Sequence, residues 1–443
     1  MKFSGQLLRA ALAGALAGLL FGFDTAVVSG TITSLVHAYS LSPAEKGFTV
    51  SIALWGTVIS AISGGIVGQK LGSRATLRII AVLYLFSVIG SSLALNWPVL
   101  LAARFVGGLA IGASSVVGPV YIAEIAPAAW RGRMVGMFQI NIVVGILLAY
   151  LSNYLVQTLT LGAIEWRVQF GVAIIPALVF SAMLFGIPQS PRWLIAQGCI
   201  QEAREVLVRI GEPNPEAEIR DVAEAVERAK SEHGESLFVR RYRFPIFLAL
   251  SIGALNQLSG INAILYYLDD IFSAAGFGKL SSGAQAVVVG LVNMLATFLA
   301  MSVIDRMGRK KLLLIGSVGT FAALVGVTAV FARRQQQELL LPLLIFYIFS
   351  FAISQGAVIW VYISEIFPSS VRSKGQALGC SAHWVMNAVI AWSFPIIARH
   401  STAAPFGVFA AMMIVQFLVV LLVYPETKGI SLEALEKKLG LAG

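Results

Sequence analysis

The sequence predicts an all-α membrane protein in which twelve transmembrane helices form two pseudo-symmetric bundles of six. Composition is the first observation behind this prediction: the 443 residues are 58% hydrophobic and only 12% charged, about half the charged fraction of a soluble domain. Length is the second, because twelve apolar runs of roughly 20 residues each can cross a bilayer as helices. The runs are too long for barrel strands and lack their alternation, which excludes a porin-like β-barrel.

A repeated motif is the third observation. Residues 121–133 read Y-I-A-E-I-A-P-A-A-W-R-G-R, and residues 362–374 read Y-I-S-E-I-F-P-S-S-V-R-S-K. Each copy places a glutamate seven positions before an arginine and lies between two apolar runs. A repeat of about 240 residues in so apolar a chain predicts two homologous membrane halves, as in transporters built from parallel repeats.

Polar segments divide the chain into four parts. Within the linker, Gln201–Ile210 and Pro215–His233 predict short amphipathic helices, which are separated by glycine and proline. We favour a solvated cover over a regulatory domain here, because so small a segment offers little core. The predicted parts are the N-terminal bundle 1–188, the linker 189–243, the C-terminal bundle 244–425 and the cytoplasmic tail 426–443.

The basic residues are distributed unequally between the two sides. If both termini are cytoplasmic, outer loops hold six of the 32 Lys and Arg residues, Arg104 lies inside a span, and the other 25 lie on inner loops and tails. This asymmetry follows the positive-inside rule and predicts a multi-pass protein of the plasma (inner) membrane. The net charge of +10 then reflects topology, and no aromatic-interleaved basic patch indicates nucleic acid.

Several other functions are excluded by the residue pattern. The first 24 residues resemble a signal peptide, but cleavage would remove Asp24 and leave an odd number of spans. Two cysteines predict neither a disulfide framework nor a metal site. The sequence has no nucleophile–base set and no phosphate loop, so we expect no enzyme activity and no cofactor.

Asp24 lies inside the first predicted span, where a carboxylate is costly and indicates function. Its expected partner is Arg104, the only other strong charge well inside the N-terminal half. Burial raises the proton affinity of such a carboxylate and a neighbouring cation lowers it, so moving the arginine away would let Asp24 take up a proton. The alternative interpretation is a static buried ion pair that only fixes helix packing.

The seventh span combines amides and an aromatic around a glycine. Asn256, Gln257, Asn262 and Tyr266 do not share one face of an ideal helix, but unwinding at Gly260 would bring them to one cavity. Amides suit a neutral polar ligand because each offers both a donor and an acceptor. Amides inside spans also serve to hold helices together, which is the alternative.

Taken in order, these motifs resemble the sugar porter family of the major facilitator superfamily, both its bacterial sugar–proton symporters and the animal hexose facilitators. The resemblance covers nearly the whole length. Besides the two repeated loops it depends on five motifs: G-F-D at 22–24, P-Q-S-P-R-W-L at 188–194, N-Q-L-S-G-I-N-A-I-L-Y-Y at 256–267, D-R-M-G-R-K at 305–310 and P-E-T-K-G at 425–429.

The resemblance implies a major facilitator fold and a sugar site near the midplane. It strengthens Gln257 and Asn262 as sugar-binding residues. By matched motif it adds further candidates, although tryptophans also anchor at interfaces and Asn293 and Asn387 are equally consistent with helix packing. The added candidates are Gln139, Asn293, Trp360, Trp384 and Asn387.

Charged residues at the cytoplasmic ends of the spans predict a gate. Opposite charges there can hold the halves together while the site faces outward, and the ordinary alternative is charge that only sets topology. The repeated Glu–Arg spacing favours the gate, because topology needs no carboxylates. The predicted gate residues are Glu124, Arg131, Asp305, Arg309, Glu365 and Arg372.

Some positions depart from the family pattern. Gln69, Ser73 and Gln189 replace an acid, an arginine and a glutamate on the cytoplasmic side of the N-terminal half. We therefore expect a weaker cytoplasmic closure and an easier inward-facing state. Ile146 gives a facilitator-like cavity wall, and Ala357 replaces a proline, so we expect a straighter tenth span.

The sequence thus predicts a monosaccharide importer, for a hexose or pentose, that works by alternating access and couples to proton symport through Asp24. The predicted partners are a monosaccharide, a proton and the lipid bilayer, with the chain active as a monomer. A sugar uniporter on the same fold, with Asp24 locked to Arg104, is the first alternative. A membrane sugar sensor that does not transport is the second, although the tail is short for signalling, and a drug exporter is a third.

Overall fold

The computed structural model describes residues 4–127, 130–231, 236–368 and 371–428, and these are almost wholly helical. Twelve helical segments in these ranges are long and apolar enough to cross a membrane, which is the number that the sequence predicts. The predicted tail 426–443 lies outside the described residues from residue 429 onward.

The first six candidate spans precede the polar linker. The fourth begins at a side-chain cap, because Asn96 accepts a hydrogen bond from the backbone N–H of Val99, and a proline follows in the first turn. The sixth span consists of two helices that meet at Ala173. The helices are α1 Gly5–Tyr39, α2 Pro43–Leu71, α3 Ser73–Ser92, α4 Trp97–Ile125, α5 Arg131–Thr158, α6 Glu165–Val172 and α7 Ile174–Met183.

Three short helices form the described part of the linker: α8 Pro191–Ala196, α9 Ile200–Ile210 and α10 Pro215–Ser231. The helix α9 ends at Gly211, which adopts a left-handed conformation that glycine allows without strain. Its buried residues recur every three or four positions, so one apolar face is covered and the charged face is solvated. Both amphipathic helices expected from the sequence are present, and residues 232 and 233 of the second lie outside the described residues.

The last six candidate spans follow the linker, and two of them are interrupted. The seventh, Arg240–Tyr266, breaks at Gly260 and is followed by α13, and the tenth contains one π turn at Ala352–Gly356. The helices are α11 Arg243–Leu258, α12 Ile261–Tyr266, α13 Leu268–Ala274, α14 Lys279–Met307, α15 Arg309–Arg333, α16 Leu340–Phe351, α17 Ala357–Glu365, α18 Arg372–His400 and α19 Ala404–Leu422.

The residues group into two compact units, and four of the spans contribute to both. As far as the structure describes them, the first unit comprises Met1–Asp24, Gly56–Ile146 and Phe170–Glu235. The second comprises Thr25–Trp55, Leu147–Gln169 and Ser236–Gly443. The second unit therefore contains one end of α1, α2, α5 and α6 together with all helices after the linker. The bundle boundaries 1–188 and 244–425 stay a prediction from the sequence.

Candidate functional site

In the first unit, Asp24 and Arg104 form the ion pair that the sequence predicts. Arg104 donates from Nη1 to Oδ1 at 2.5 Å and from Nη2 to Oδ2 at 2.9 Å. The side chains are 5% and 8% exposed for arginine and aspartate. Two parallel charge-assisted hydrogen bonds between buried side chains hold both groups in one geometry.

Aromatic side chains surround this ion pair. The guanidinium carbon of Arg104 lies 5.3 Å from the ring centre of Phe170, within range of a cation–π contact. Tyr84 is fully buried, and its hydroxyl donates to the carbonyl of Leu20, one turn before Asp24. The pair is therefore fixed by packing on several sides, and releasing Asp24 requires these neighbours to move.

In the second unit, the seventh span breaks where the sequence predicts. Gly260 has φ 88° and ψ 5°, a left-handed conformation that residues with a Cβ rarely adopt. A Cβ on Gly260 would also lie 2.2 Å from the ring of Phe409. The freed carbonyl of Ser259 accepts a hydrogen bond from the Tyr347 hydroxyl at 2.9 Å, so the break is stabilised by its surroundings.

The break brings the predicted amides into one network around Gln257. Its Nε2 lies 3.3 Å from Oδ1 of Asn256, and its Oε1 accepts from Nδ2 of Asn262 at 3.2 Å. Gln257 is 1% exposed, and Asn262 is half-buried. The network carries no net charge and keeps donors and acceptors side by side, which suits a ligand rich in hydroxyl groups.

His383 joins this network, which sequence reasoning did not establish. Nε2 of Gln257 lies 3.0 Å from Nε2 of the histidine and 3.3 Å from its Nδ1. The imidazole lies between two predicted stacking residues, with ring centres 5.0 Å from Trp360 and 5.2 Å from Trp384. Trp360 is 38% exposed whereas Trp384 is 4% exposed. The sequence signal was the adjacency of His383 to Trp384 in a span that also carries Asn387.

A second pair of predicted residues lies on the other side of the break. Asn387 donates from Nδ2 to the hydroxyl of Tyr266 at 3.0 Å, and both are buried. This contact joins α12 to α18, so these residues position the two helices.

The tenth span differs from expectation. The sequence predicted a straighter helix because Ala357 replaces a proline, but a π turn occupies the five residues before it. A π turn widens the backbone spiral and often marks a functional site. Here it lets the carbonyl of Gln355 accept from Nδ2 of Asn256 at 3.4 Å. The distortion thus persists without proline, because the amide network gives it a partner.

Two predicted sugar contacts stand apart from this network. Asn293 lies in α14, buried, and its backbone carbonyl accepts from Thr297. Gln139 belongs to the first unit, where it is half-buried on α5. Neither makes a side-chain hydrogen bond to the Gln257 network within the described ranges.

The predicted gate residues make different contacts in the two repeats. In the second, Nη2 of Arg309 lies 2.9 Å from Oε1 of Glu365, and Oε2 of Glu365 accepts from Thr427 at 2.6 Å. In the first, Glu124 accepts from the hydroxyl of Ser73 at 2.9 Å. Glu124 therefore has an uncharged hydroxyl as its donor at the position where Glu365 has the guanidinium of Arg309.

The repeated arginines bind backbone carbonyls within their own connections. Nε of Arg131 donates to the carbonyl of Ala123 at 3.0 Å, and Nε of Arg372 donates to that of Phe367 at 3.2 Å. Each arginine thus joins the start of one span to the region where the preceding span ends. The side chain of the remaining gate candidate, Asp305, lies outside the described part of the chain.

A pair of helix caps was not predicted. Gly308 and Gly72 precede α15 and α3 with nearly identical dihedrals, φ 90° and ψ 157° against φ 81° and ψ 152°. Glu426 accepts the backbone N–H groups of Arg309 and Lys310 at 2.9 and 3.1 Å.

In the first repeat, Gln189 takes the place of that glutamate and accepts from the backbone N–H of Arg74 at 3.2 Å. The hydroxyls of Tyr121 and Tyr362 fix the two capping segments, donating to the carbonyls of Pro188 and Pro425 at 2.9 and 3.2 Å. The signal in the sequence was P-Q-S at 188–190 and P-E-T at 425–427, spaced like the other repeats.

This chain is similar to known proteins over nearly its whole length. The family model described as "Sugar (and other) transporter" matches residues 10–439. The D-xylose-proton symporter of Escherichia coli (strain K12) is 33% identical, with 98% of this chain and 96% of the relative covered. The arabinose-proton symporter of Bacillus subtilis (strain 168) is 34% identical, with 98% and 95% covered.

A solved structure agrees with these relatives. The inward open conformation of the xylose transporter XylE from E. coli superposes with a TM-score of 0.87 at 31% identity, covering 98% of this chain and 99% of that one. The match extends over all twelve candidate spans and the linker. The chain therefore belongs to the sugar transporter family, has the major facilitator fold, and is a multi-pass plasma membrane transporter rather than an enzyme.

Proposed function

We propose that this chain imports a monosaccharide, a pentose or a hexose, by alternating access coupled to proton symport. The observation that carries the proposal is the neutral network of Gln257, Asn256, Asn262 and His383 beside two tryptophans. Sugar hydroxyls need groups that both donate and accept, and apolar ring faces need aromatic surfaces. The similar symporters for xylose and arabinose support this substrate class.

Proton coupling is assigned to Asp24 and Arg104. The bidentate pair gives both carboxylate oxygens of Asp24 a charged donor while the two residues stay in contact. Separation of the pair by a conformational change leaves a desolvated carboxylate, which takes up a proton. The uniporter remains the second candidate, and it is favoured if the buried ion pair never opens.

The orientation and partners belong to the same proposal. The excess of basic residues on the linker side supports cytoplasmic termini. Each chain carries both the ion pair and the amide network, which supports a functional monomer in the lipid bilayer without nucleic acid partners.

The charged residues at the cytoplasmic span ends are proposed to control opening on that side. They are Glu124, Arg131, Asp305, Arg309, Glu365 and Arg372. Sugar contacts are proposed also for Gln139, Asn293, Tyr266, Trp360, Trp384 and Asn387.

Reconstitution in liposomes tests this function. Internal pH is followed while xylose, arabinose, glucose and galactose are added outside one at a time. Acidification with one sugar identifies both symport and the substrate. Sugar entry without acidification supports the uniporter, and sugar binding without entry supports the sensor.

A further inference from the structure

The span ends opposite the linker, here called the far ends, pack tightly within the second unit. The hydroxyl of Tyr150 on α5 donates to the carbonyl of Leu265 at 2.8 Å. A Cβ on Gly47 of α2 would lie 2.2 Å from the carbonyl oxygen of Trp392 on α18. Segments that precede the linker are thus in direct contact with helices that follow it.

Two ion pairs hold the rim of this contact. Nζ of Lys46 on α2 lies 2.7 Å from Oδ2 of Asp270 on α13, and Nζ of Lys279 on α14 lies 2.6 Å from Oε1 of Glu165 on α6. Thr33 on α1 also donates to Asp270 at 2.9 Å. Both lysines are engaged by these other carboxylates.

Asp269 lies inward of these pairs and is 8% exposed. Its carboxylate accepts from Nε2 of Gln157 on α5 at 3.2 Å, and its backbone N–H donates to the hydroxyl of Ser29 on α1. Gln157 is 4% exposed, and its Oε1 is buried without a hydrogen-bond partner among the described residues. The side-chain donors to this carboxylate, Gln157 and Ser29, are both uncharged, and a carboxylate is costly to bury in its ionised form without a cation in contact.

We propose that Asp269 is a second proton-binding residue, distinct from Asp24, which binds a proton more tightly while the far ends are packed together than when they part. A proton on Asp269 then stabilises the closed far ends. The biological direction depends on the proposed function and orientation, which make the far ends extracellular. External acid would thereby favour closure behind an entering sugar.

Charges around Asp269 support this assignment. Burial is the largest influence and raises the pKa of Asp269 to about 6, with neighbouring Asp270 acting in the same direction. The hydrogen bonds of Gln157 and Ser29 and the charge of Lys279 oppose it.

The remaining neighbours of Asp269 are compatible with a neutral carboxyl group. The facing groups on the other elements are Lys46, Glu165 and the hydroxyl of Tyr150, each of which has a partner of its own. The amide of Gln157 can turn its oxygen toward Asp269. The oxygen can then accept a hydrogen bond from the O–H of a neutral carboxyl.

The sign of the effect follows from linkage. A carboxylate exposed by opening has a pKa of about 4, so the closed state binds the proton more tightly. Between pH 7 and pH 5 the ratio of closed to open far ends should rise about tenfold.

Spin labels at the far ends measure this ratio directly. Cysteines are placed at exposed Leu159 and Leu280 in a background with Cys199 and Cys380 changed to serine, and the full chain is reconstituted. The distance distribution between the labels is recorded from pH 7.5 to pH 4.5. In the wild-type background the short-distance population should grow about tenfold relative to the long one between pH 7 and pH 5.

Two carboxylate variants separate the residues. Asp269→Asn should be insensitive to pH in this range and show the acid distribution throughout. Asp270→Asn loses its Lys46 partner and should shift toward open at every pH, yet keep the response. A wild-type distribution that does not change with pH, or an Asp269→Asn variant that titrates like wild type, overturns the proposal.

A third variant separates the proposal from the transport function. The response should persist in Asp24→Asn, and its loss there would assign the titration to Asp24 and overturn the role of Asp269. Sugar exchange measured in the same liposomes tests the transporter independently, because a protein without sugar flux can still show the label response.

Discussion

At the residue scale, Asp24 is held by two N–H groups of one arginine, so its proton chemistry depends on that contact. Asp24→Asn keeps the size of the side chain but cannot be ionised. We expect it to abolish uphill sugar accumulation while leaving sugar exchange across the membrane largely intact. Uptake against a gradient and counterflow in liposomes distinguish the two activities.

The exposed linker carboxylate Asp221 provides the control, because Asp221→Asn alters the charge by the same amount far from any span. It should accumulate sugar normally. Unaltered accumulation in Asp24→Asn would remove Asp24 from the coupling mechanism.

Gln257 is the centre of the amide network, and its truncation leaves Asn262 and His383 without their shared partner. Gln257→Ala should weaken sugar binding by about 1–3 kcal/mol, since unpaired buried polar groups carry their desolvation cost. Calorimetric titration of the purified protein with sugar measures this. Gln416→Ala is the matched control, because Gln416 is an equally buried amide that bonds instead to Ser317. Equal losses in both variants would mean that the site is misplaced.

Much of this residue-scale chemistry could be predicted from the sequence. Asp24 and Arg104 are the only strong charges well inside the N-terminal spans. Their pairing is therefore expected from the free-energy cost of leaving either charge unpaired inside the membrane. His383 could not be placed, since a lone histidine in an apolar span fits a core position as well as a site. Its role depends on the distance to Gln257, which lies 126 positions away and which no local pattern encodes.

At the element scale, the two helix caps differ in charge. Burial pushes the pKa of Glu426 upward, but backbone N–H groups of Lys428, Arg309, Thr427 and Lys310 hold it below its ordinary value. A lowered pKa means that the ionised group stabilises the fold above its ordinary pKa and that this contribution is lost as pH falls through the lowered value. Glu426 therefore stabilises the start of α15 at neutral pH.

Exchanging the two capping residues should exchange their contributions to the unfolding free energy. Glu426→Gln should lower the unfolding free energy by about 0.3–1 kcal/mol through loss of the charge–dipole interaction, and the difference from wild type should shrink in acid. Gln189→Glu alone should raise the unfolding free energy by less than Glu426→Gln lowers it. The reason is that the carboxylate of Glu124 is nearby and is bonded by Ser73 rather than by an arginine. Thermal unfolding in detergent, scanned across pH, measures each change.

The double variant Ser73→Arg with Gln189→Glu copies the second repeat and should be more stable than either single variant. Additive effects of the two substitutions would argue against the equivalence of the caps.

The elements themselves were largely predictable, because apolar length and glycine position determine them. The break at Gly260 was expected from a glycine among amides that share no helical face. The π turn before Ala357 was not, because it depends on a tertiary hydrogen bond to Asn256. The caps were missed for the same reason: Glu426 contacts residues 117 positions earlier.

At the scale of the whole molecule, the distribution of charge predicts that the linker is cytoplasmic. Cys199 lies in the linker and is a free, half-buried cysteine. With Cys380→Ser, a membrane-impermeant maleimide should label Cys199 in inside-out vesicles and leave it unlabelled in right-side-out vesicles.

A cysteine at Leu280, with Cys199→Ser, should show the reverse pattern. Labelling of Cys199 from the outside would invert the proposed topology.

The sequence predicted the number of spans because bilayer thickness fixes helix length. It did not predict that α1 passes from one compact unit to the other after Asp24, since such grouping depends on the conformation adopted.

Each cap is closed by residues at the end of its own half, Pro188–Ser190 for the first and Pro425–Thr427 for the second. A break in the backbone between Ser231 and Ser236 would leave both fragments with their glycine, their helix start and their closing segment. The peptide connection is then not needed to complete either cap. Two separately translated polypeptides would each carry what their own caps require.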